Sequence, residues 1–171
     1  FQTARDLARR YRLGDDAVCG ALLNLGIAQR FAGDYKGALN SFCAALALAD
    51  ITEQQRAGIW NHLGILHGEH GNHRKAVVCY IRAYRVALAS GADVDLRAET
   101  AGNVVDGYLH LGVPGKAMRW AVRAARHARR AAPWRRQGVA LQVVAVCLAT
   151  NRLRLAQRIL QRLDREAIAP Y

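Results

Sequence analysis

The chain has 171 residues, a formal net charge of +12 at pH 7 and a hydrophobic content of 52%. Alanine, leucine and arginine abound, whereas only three prolines and three phenylalanines occur, which favours helices over sheets. No apolar run approaches the roughly 20 residues that a membrane-spanning helix needs. The composition therefore indicates one all-α domain with a sizeable core and no membrane span.

The first residues are charged and amphipathic, and they precede the first complete sequence repeat. We predict that residues 1–14 supply the second helix of a truncated repeat. Because the chain starts at Phe1 and its only methionine is Met118, we expect it to be an excerpt of a longer protein.

Two strong repeats follow, over residues 15–52 and 53–91. The pair Leu25-Gly26 of the first repeat recurs as Leu63-Gly64 in the second. Apolar residues at helical spacing predict two helices in each repeat. The predicted helices span residues 16–32 and 35–49 in the first repeat, and 54–70 and 73–90 in the second.

Two weaker copies occupy residues 92–132 and 133–171. Ala117 repeats Ala76, and Ala156 in turn repeats Ala117, at intervals slightly longer than the one that relates the two strong repeats. The turns between paired helices are predicted at four positions that suit a helix break: Gly33, Gly71, Gly112 and Asn151.

The small residues of the repeat have a mechanical explanation. Glycine in the middle of a helix costs roughly 1 kcal/mol relative to alanine, so Gly26 and Gly64 indicate a close helix approach. Phe42 and Tyr80 are predicted to be the large side chains that fill the adjacent space. In the weaker copies these two positions become Val104-Val105 with Ala121, and Val143-Val144 with Leu160.

This pattern resembles the tetratricopeptide repeat (TPR) family over nearly the whole chain. The matching residues are Leu25, Gly26, Gly33, Tyr35, Ala38, Phe42, Ala45, Trp60, Leu63, Gly64, Gly71, Ala76, Tyr80 and Ala83. The repeats exceed the usual unit of about 34 residues, and in this they look like the longer units of bacterial multidomain regulators. The resemblance implies an all-α superhelical solenoid of antiparallel helix pairs, which binds peptides or partner segments and has no catalytic activity.

In such a solenoid the first helix of each repeat lines a concave groove. We predict that Leu22, Leu25 and Gly26 face the packed side of the first helix, and that the opposite flank faces the ligand. The predicted groove residues are Asn24, Ile27, Arg30, Phe31, Asn61, His62, Ile65, Glu69, Glu99, Asn103, Asp106, His110 and Gln142. One row of these holds Asn24, His62, Asn103 and Gln142, whose side chains can pair with a peptide backbone, although a solvated helix face would look the same. The carboxylates favour a basic or neutral ligand.

A second surface is rich in arginine. Residues 117–171 contain 12 basic and 2 acidic residues. Helical spacing predicts a convex basic face made of Arg82, Arg85, Arg119, Arg123, Arg126, Arg130, Arg158, Arg162 and Arg165. This face is either an ordinary solvated surface or a contact for an acidic partner domain, and nucleic acid is the less favoured partner. Trp134 is predicted to pack at an inter-repeat turn.

The sequence shows no motif for catalysis, for a metal or for a cofactor. Four scattered cysteines form no CxxC pair, and we expect them to be small buried hydrophobes in a reducing cytoplasm: Cys19, Cys43, Cys79 and Cys147. In the series His67, His70 and His73, the break at Gly71-Asn72 argues against a metal site.

The function that these features predict is a non-catalytic, cytoplasmic module that binds a protein or peptide ligand in its groove. The resemblance suggests that it is the sensor or interaction domain of a larger bacterial transcription regulator or signalling protein. Two alternatives stay open at this point. One is a self-associating homo-oligomeric scaffold, and the other is a solenoid that binds nucleic acid through its basic face.

Overall fold

The computed structural model describes residues 14–168, and their side chains as far as Asp164. Within this part of the chain there are eight helices and no strands: α1 Asp15–Phe31, α2 Tyr35–Leu46, α3 Glu53–Glu69, α4 His73–Ala89, α5 Val94–His110, α6 Pro114–Ala128, α7 Pro133–Ala149 and α8 Leu153–Ile168. None of them combines the length and the apolar character that crossing a membrane requires. The helix predicted over residues 1–14 lies outside the described residues, except for Gly14.

The helices form two compact units, one that ends at Gly91 and one that begins at Ala92. In the first unit α1 packs on α2 and α3 packs on α4, and α3 also contacts α1 and α2. In the second unit α5 pairs with α6 and α7 with α8, and α7 also contacts α5 and α6. The predicted all-α fold of successive helix pairs is therefore confirmed.

The turn within each helix pair contains one residue in the left-handed backbone conformation. Gly33, Gly71 and Gly112 have φ values of 75°, 73° and 68°, and Asn151 has a φ of 56°. Glycine and asparagine are the residues that adopt this left-handed conformation most readily. The four turn positions predicted from the repeat are confirmed.

One predicted helix boundary is wrong. The second helix of the first repeat was expected to reach residue 49, but α2 ends at Leu46. Leu48 and Ile51, which follow it, are both buried in the core of the first unit. The chain therefore turns inward at this point instead of continuing along the helix.

Aspartates in the first turns of α1 and α5 accept hydrogen bonds from backbone N–H groups close to the start of the next repeat. The side chain of Asp15 accepts hydrogen bonds from the backbone N–H groups of Ala49 and Asp50, at 3.0 and 3.1 Å. Asp95 does the same for Ala132, the residue that caps α7, at 2.9 Å. These bonds satisfy amides that no helix supplies with a partner, and they fix where the following pair begins.

The glycine in each strong repeat leaves room for an aromatic ring, as predicted. A Cβ atom added at Gly26 would lie 2.5 Å from Cε1 of Phe42, and one added at Gly64 would overlap the ring of Tyr80. Both rings are buried. Helices α1 and α3 therefore carry glycine where α2 and α4 insert their largest core side chains.

In the third repeat the larger residue of the crossing lies on the first helix and the smaller one lies on the second. Val105 of α5 packs in one buried cluster with Ala121 of α6, so the large residue now belongs to the first helix. In the fourth repeat the prediction that Leu160 takes the place of the buried aromatic residue is wrong. Leu160 is 45% exposed, and the buried partner of Val144 is Ala156.

The cysteines differ from one another in burial. Cys19, Cys79 and Cys147 are buried, and desolvation is the main cause that raises the pKa of each thiol. Cys43 is exposed on α2, so the prediction that all four cysteines are buried is wrong for this residue.

Glycine-to-alanine substitutions in α3 test the role of the small residue. We expect Gly64→Ala to lower the free energy of unfolding by about 1–3 kcal/mol, because the new Cβ collides with the Tyr80 ring. The matched control is Gly58→Ala in the same helix, where an added Cβ has no neighbour within 4 Å. Higher helix propensity should make that variant more stable by up to about 1 kcal/mol. Urea unfolding measures both values, and equal shifts in the two variants would contradict the close approach.

Candidate binding surfaces

The predicted groove residues of the first unit lie on α1 and α3, and their two charges neutralise each other. Arg30 forms an ion pair with Glu69. The guanidinium of Arg30 also lies 4.3 Å from the ring centroid of Phe31, and Phe31 is 77% exposed. The surface therefore presents a large aromatic side chain beside an arginine whose charge is paired.

His62 is half-buried on this surface. Its ring stacks on Phe42 with the ring centroids 5.8 Å apart. Burial is the main cause that lowers its pKa, and the nearby Arg30 lowers it further. The neutral imidazole is therefore favoured, and its Nδ1 atom is buried without a hydrogen-bond partner among the described residues.

Two placements in the first unit differ from prediction. Asn61 is only 2% exposed, so it is inaccessible to a ligand in this structure. Leu25, predicted to face the packed side, is 49% exposed, whereas the buried residues of α1 are Val18, Cys19, Leu22 and Gly26. Asn24 is exposed, and Ile27 and Ile65 are half-buried.

Some of the predicted groove residues of the second unit line one small pocket. Its volume is about 120 Å³, and it is lined by residues of α5 and α7: Glu99, Asn103, Trp134, Arg135, Gly138, Val139 and Gln142. Three of the predicted residues therefore come together here. The pocket joins an amide, a carboxylate and a guanidinium within a space that suits one side chain.

An ion pair and a side-chain hydrogen bond join α5 and α7 at this pocket. Arg135 forms an ion pair with Glu99 and lies 4.2 Å from the ring centroid of Trp134. Gln142 Nε2 donates a hydrogen bond to Asp106 Oδ2 at 2.7 Å. Desolvation by burial is the main cause of a raised pKa for Asp106, while the Gln142 hydrogen bond and His110 act in the opposite direction. His110 itself is exposed.

Sequence reasoning missed four residues that line this pocket: Trp134, Arg135, Gly138 and Val139. Arg135 was not recognised as a partner of Glu99, and Trp134, which was expected to pack, is 61% exposed. Gly102 was also missed. A Cβ at Gly102 would overlap the side chain of Gln142, so this glycine makes room for the amide. The available signal was the dipeptide Trp134-Arg135 near the start of the fourth repeat.

The arginines predicted for the basic face are exposed where the structure describes them. On α4 of the first unit, Arg82 lies over the ring of Trp60, 4.8 Å from its centroid. In the second unit, Arg123 lies 5.0 Å from the ring centroid of Trp120. The other exposed members are Arg85, Arg119, Arg126, Arg130, Arg158 and Arg162. The side chain of Arg165 lies outside the description.

The closely spaced histidines contact an aromatic residue. The Tyr35 hydroxyl and His67 Nδ1 are hydrogen-bonded at 2.9 Å, and the ring centroids of Tyr35 and His70 are 4.1 Å apart. Among residues 14–168, no three His, Cys, Asp or Glu side chains gather in a way that would hold a metal ion.

Comparisons with known proteins identify the fold. No family model matches the chain, and no curated protein sequence matches it. Solved structures do match. One is the N-terminal domain of stress-induced protein-1 (STI-1) from C. elegans, with 18% identity, a TM-score of 0.62, and coverage of 74% of this chain and 94% of that one. Another is BtubC (BKLC) from P. vanneervenii, with 16% identity, a TM-score of 0.63, and coverage of 99% and 89%. The chain therefore has a TPR-like helical repeat fold.

The half-buried carboxylate of Asp106 gives a pH-dependent prediction. Its pKa in the folded state lies above the ordinary value of 3.8, so above that pH the folded protein is penalised for the charge relative to the unfolded chain. Asp106→Asn keeps an acceptor for Gln142 and removes the charge. We expect this variant to gain stability over the wild type as the pH rises from 3.8 to 7.

Gln142→Leu is the opposing variant, since it removes the donor that stabilises the charged form. We expect it to lose stability over the same pH range. Thermal unfolding in a series of buffers measures both differences, and two pH-independent differences would show that Asp106 does not titrate in this way.

Proposed function

We propose that this chain is a protein-interaction module that binds an extended peptide segment of a partner on the faces of its first helices. The observation that carries the proposal is the small pocket of the second unit, where Glu99, Asn103 and Gln142 meet Arg135 and Trp134. The TPR-like fold supports an interaction role, because helical repeats of this type present extended binding surfaces.

The size and chemistry of the pocket fit a peptide better than a cofactor. Its volume of about 120 Å³ is far below the roughly 300–1,000 Å³ of typical small-molecule sites. One small side chain of a peptide can enter it, while the amide of Asn103 pairs with the peptide backbone. The exposed indole of Trp134 offers a flat apolar surface for the next residue of the ligand.

Buried polar atoms without partners give further support. Among the described side chains these atoms are Arg30 Nε, His62 Nδ1 and Arg135 Nε. Each belongs to a helix that carries predicted groove residues, and an unsatisfied buried polar atom costs about 1–3 kcal/mol. Small rearrangements on ligand binding can bring such atoms to a partner.

The first unit supplies a second contact surface of the same type. Its exposed Phe31 and Asn24 and its half-buried Ile27 combine an aromatic group, an amide and an apolar side chain. Binding of this kind needs no catalytic group and no cofactor. The place of the module within a larger cytoplasmic regulator stays a prediction from the sequence.

A peptide-display experiment tests the proposed function. We expect the wild-type protein to enrich a consensus from a random peptide library, and Asn103→Ala to weaken binding of the selected peptide about tenfold, which is roughly 1.4 kcal/mol. Asn40→Ala, which changes an exposed asparagine of α2, is the matched control and should bind like the wild type. Fluorescence anisotropy measures the affinities.

Two results would contradict the proposal. The first is that no peptide is enriched over the background of the library. The second is that the selected peptides bind Asn103→Ala and the wild type equally well, which would show that the pocket between α5 and α7 is not the site.

A further inference from the structure

A cavity of about 400 Å³ opens between α6, α7 and α8 of the second unit. Val139, Ala140 and Val143 of α7 form its apolar floor. Helices α6 and α8 line its two sides. Four arginines surround the opening: Arg129, Arg136, Arg158 and Arg162.

The first unit shows why this space is empty. Trp60 of α3 and Ala140 of α7 occupy corresponding positions, because the same shift along the chain relates Gly64 to Val144. In the first unit the Trp60 ring packs against the core cluster that contains Phe42 and Ala45. In the second unit alanine stands at this position, so no indole covers the floor.

A second position follows the same trend. Leu46 of α2 packs on the core of the first unit, and Ala125 of α6 stands at the corresponding position and lines the cavity. Ile159 and Leu163 of α8 are larger than the residues that they replace, Cys79 and Ala83, yet they leave about 400 Å³ unfilled. The cavity is therefore a site where the fourth repeat lacks the aromatic side chain that the second repeat carries.

Arg162, one of the arginines at the opening, corresponds to Arg82 of the first unit. Arg82 lies over the Trp60 ring, and the shift that relates Trp60 to Ala140 also relates Arg82 to Arg162. In the first unit, therefore, an arginine at this position covers an indole. An aromatic group from outside that entered the cavity would meet Arg162 in the same relation.

The charge around the cavity favours carboxylates. Residues 117–171 contain 12 basic and 2 acidic residues. Among the ion pairs of the described residues, none involves Arg129, Arg136 or Arg158. Guanidinium groups next to an apolar surface bind carboxylates through paired, charge-assisted hydrogen bonds.

We propose that this cavity is a docking site for an acidic segment of a partner protein. The segment inserts one aromatic side chain over Ala140, and its carboxylates pair with Arg129, Arg136 and Arg158. This site is distinct from the peptide pocket between α5 and α7, with which it shares only Val139 among its lining residues.

Single-stranded nucleic acid is the alternative polyanion, and the lining disfavours it. Sequence-tolerant binding of single strands relies on aromatic side chains on which the bases stack. None of the eleven residues that line the cavity is aromatic. An acidic peptide brings its own aromatic group and needs only an apolar floor and cations.

Synthetic peptides provide a direct test. The probe is a fluorescein-labelled peptide with the sequence Asp-Glu-Trp-Glu-Asp-Leu. One comparison peptide replaces Trp by Ala, and a second replaces the acids by Asn and Gln. We expect saturable binding of the probe and at least tenfold weaker binding of both comparison peptides.

Two pairs of variants locate the site. Ala140→Trp fills the cavity from within and should weaken probe binding at least tenfold, whereas Ala145→Trp, at an exposed position of the same helix, should leave it unchanged. Arg158→Glu should weaken binding to a similar degree, whereas Arg154→Glu, an exposed arginine of α8 outside the cavity, should have less than a threefold effect. Thermal unfolding establishes that each variant is folded.

The possible outcomes separate this proposal from the other sites. Equal binding by Ala140→Trp and the wild type would overturn it, and so would equal losses in Arg154→Glu and Arg158→Glu, which would indicate attraction by net charge alone. Binding of a labelled single-stranded oligonucleotide that Ala140→Trp abolishes, without binding of the peptide, would also overturn it. Because Asn103→Ala leaves this cavity intact, failure of the peptide pocket and failure of this site are measured independently.

Discussion

The structure depends on how much volume the two helices of a pair place at their crossing. In the first two repeats glycine on the first helix receives an aromatic ring from the second, as Gly26 receives Phe42 and Gly64 receives Tyr80. In the third repeat valine on the first helix meets Ala121 on the second. Interiors pack at nearly constant density, so a large residue on one helix requires a small residue on the other. The sum of the two volumes is constrained more tightly than either residue.

The same constraint explains where the second unit has open space between its helices. Trp60 covers the core of the first unit, while Ala140 leaves the corresponding floor open. On the side of the first helices, Gly102 makes room for Gln142, and this places the amide beside Asp106 and next to the small pocket. Two small residues of the second unit thus stand opposite a space. The space at Gly102 is filled by the Gln142 side chain, and the space at Ala140 is empty.

Much of the fold could be predicted because small and large residues recur at a fixed period, and the left-handed turn residues mark each helix pair. The site was less predictable. The ion pairs Arg30 with Glu69 and Glu99 with Arg135 join residues of different repeats, and helical spacing within one repeat contains no information about them. The exposure of Leu25 and Leu160 depends on which neighbouring face each helix meets. The cavity at Ala140 arises from a missing side chain, and its sequence signature is an alanine like many others in this chain.

Exchanging the two partners of one pair tests the volume constraint most directly. Gly64→Val, Tyr80→Ala and the double variant would place the residue types of the third repeat into the second, and urea unfolding of all four proteins gives the coupling energy. If the summed volume is what matters, the double variant should lose less unfolding free energy than the two single variants lose together. We expect a difference of at least about 1 kcal/mol. Additive effects of the two substitutions would contradict the constraint and would remove the basis for interpreting Ala140 as the site of a missing ring.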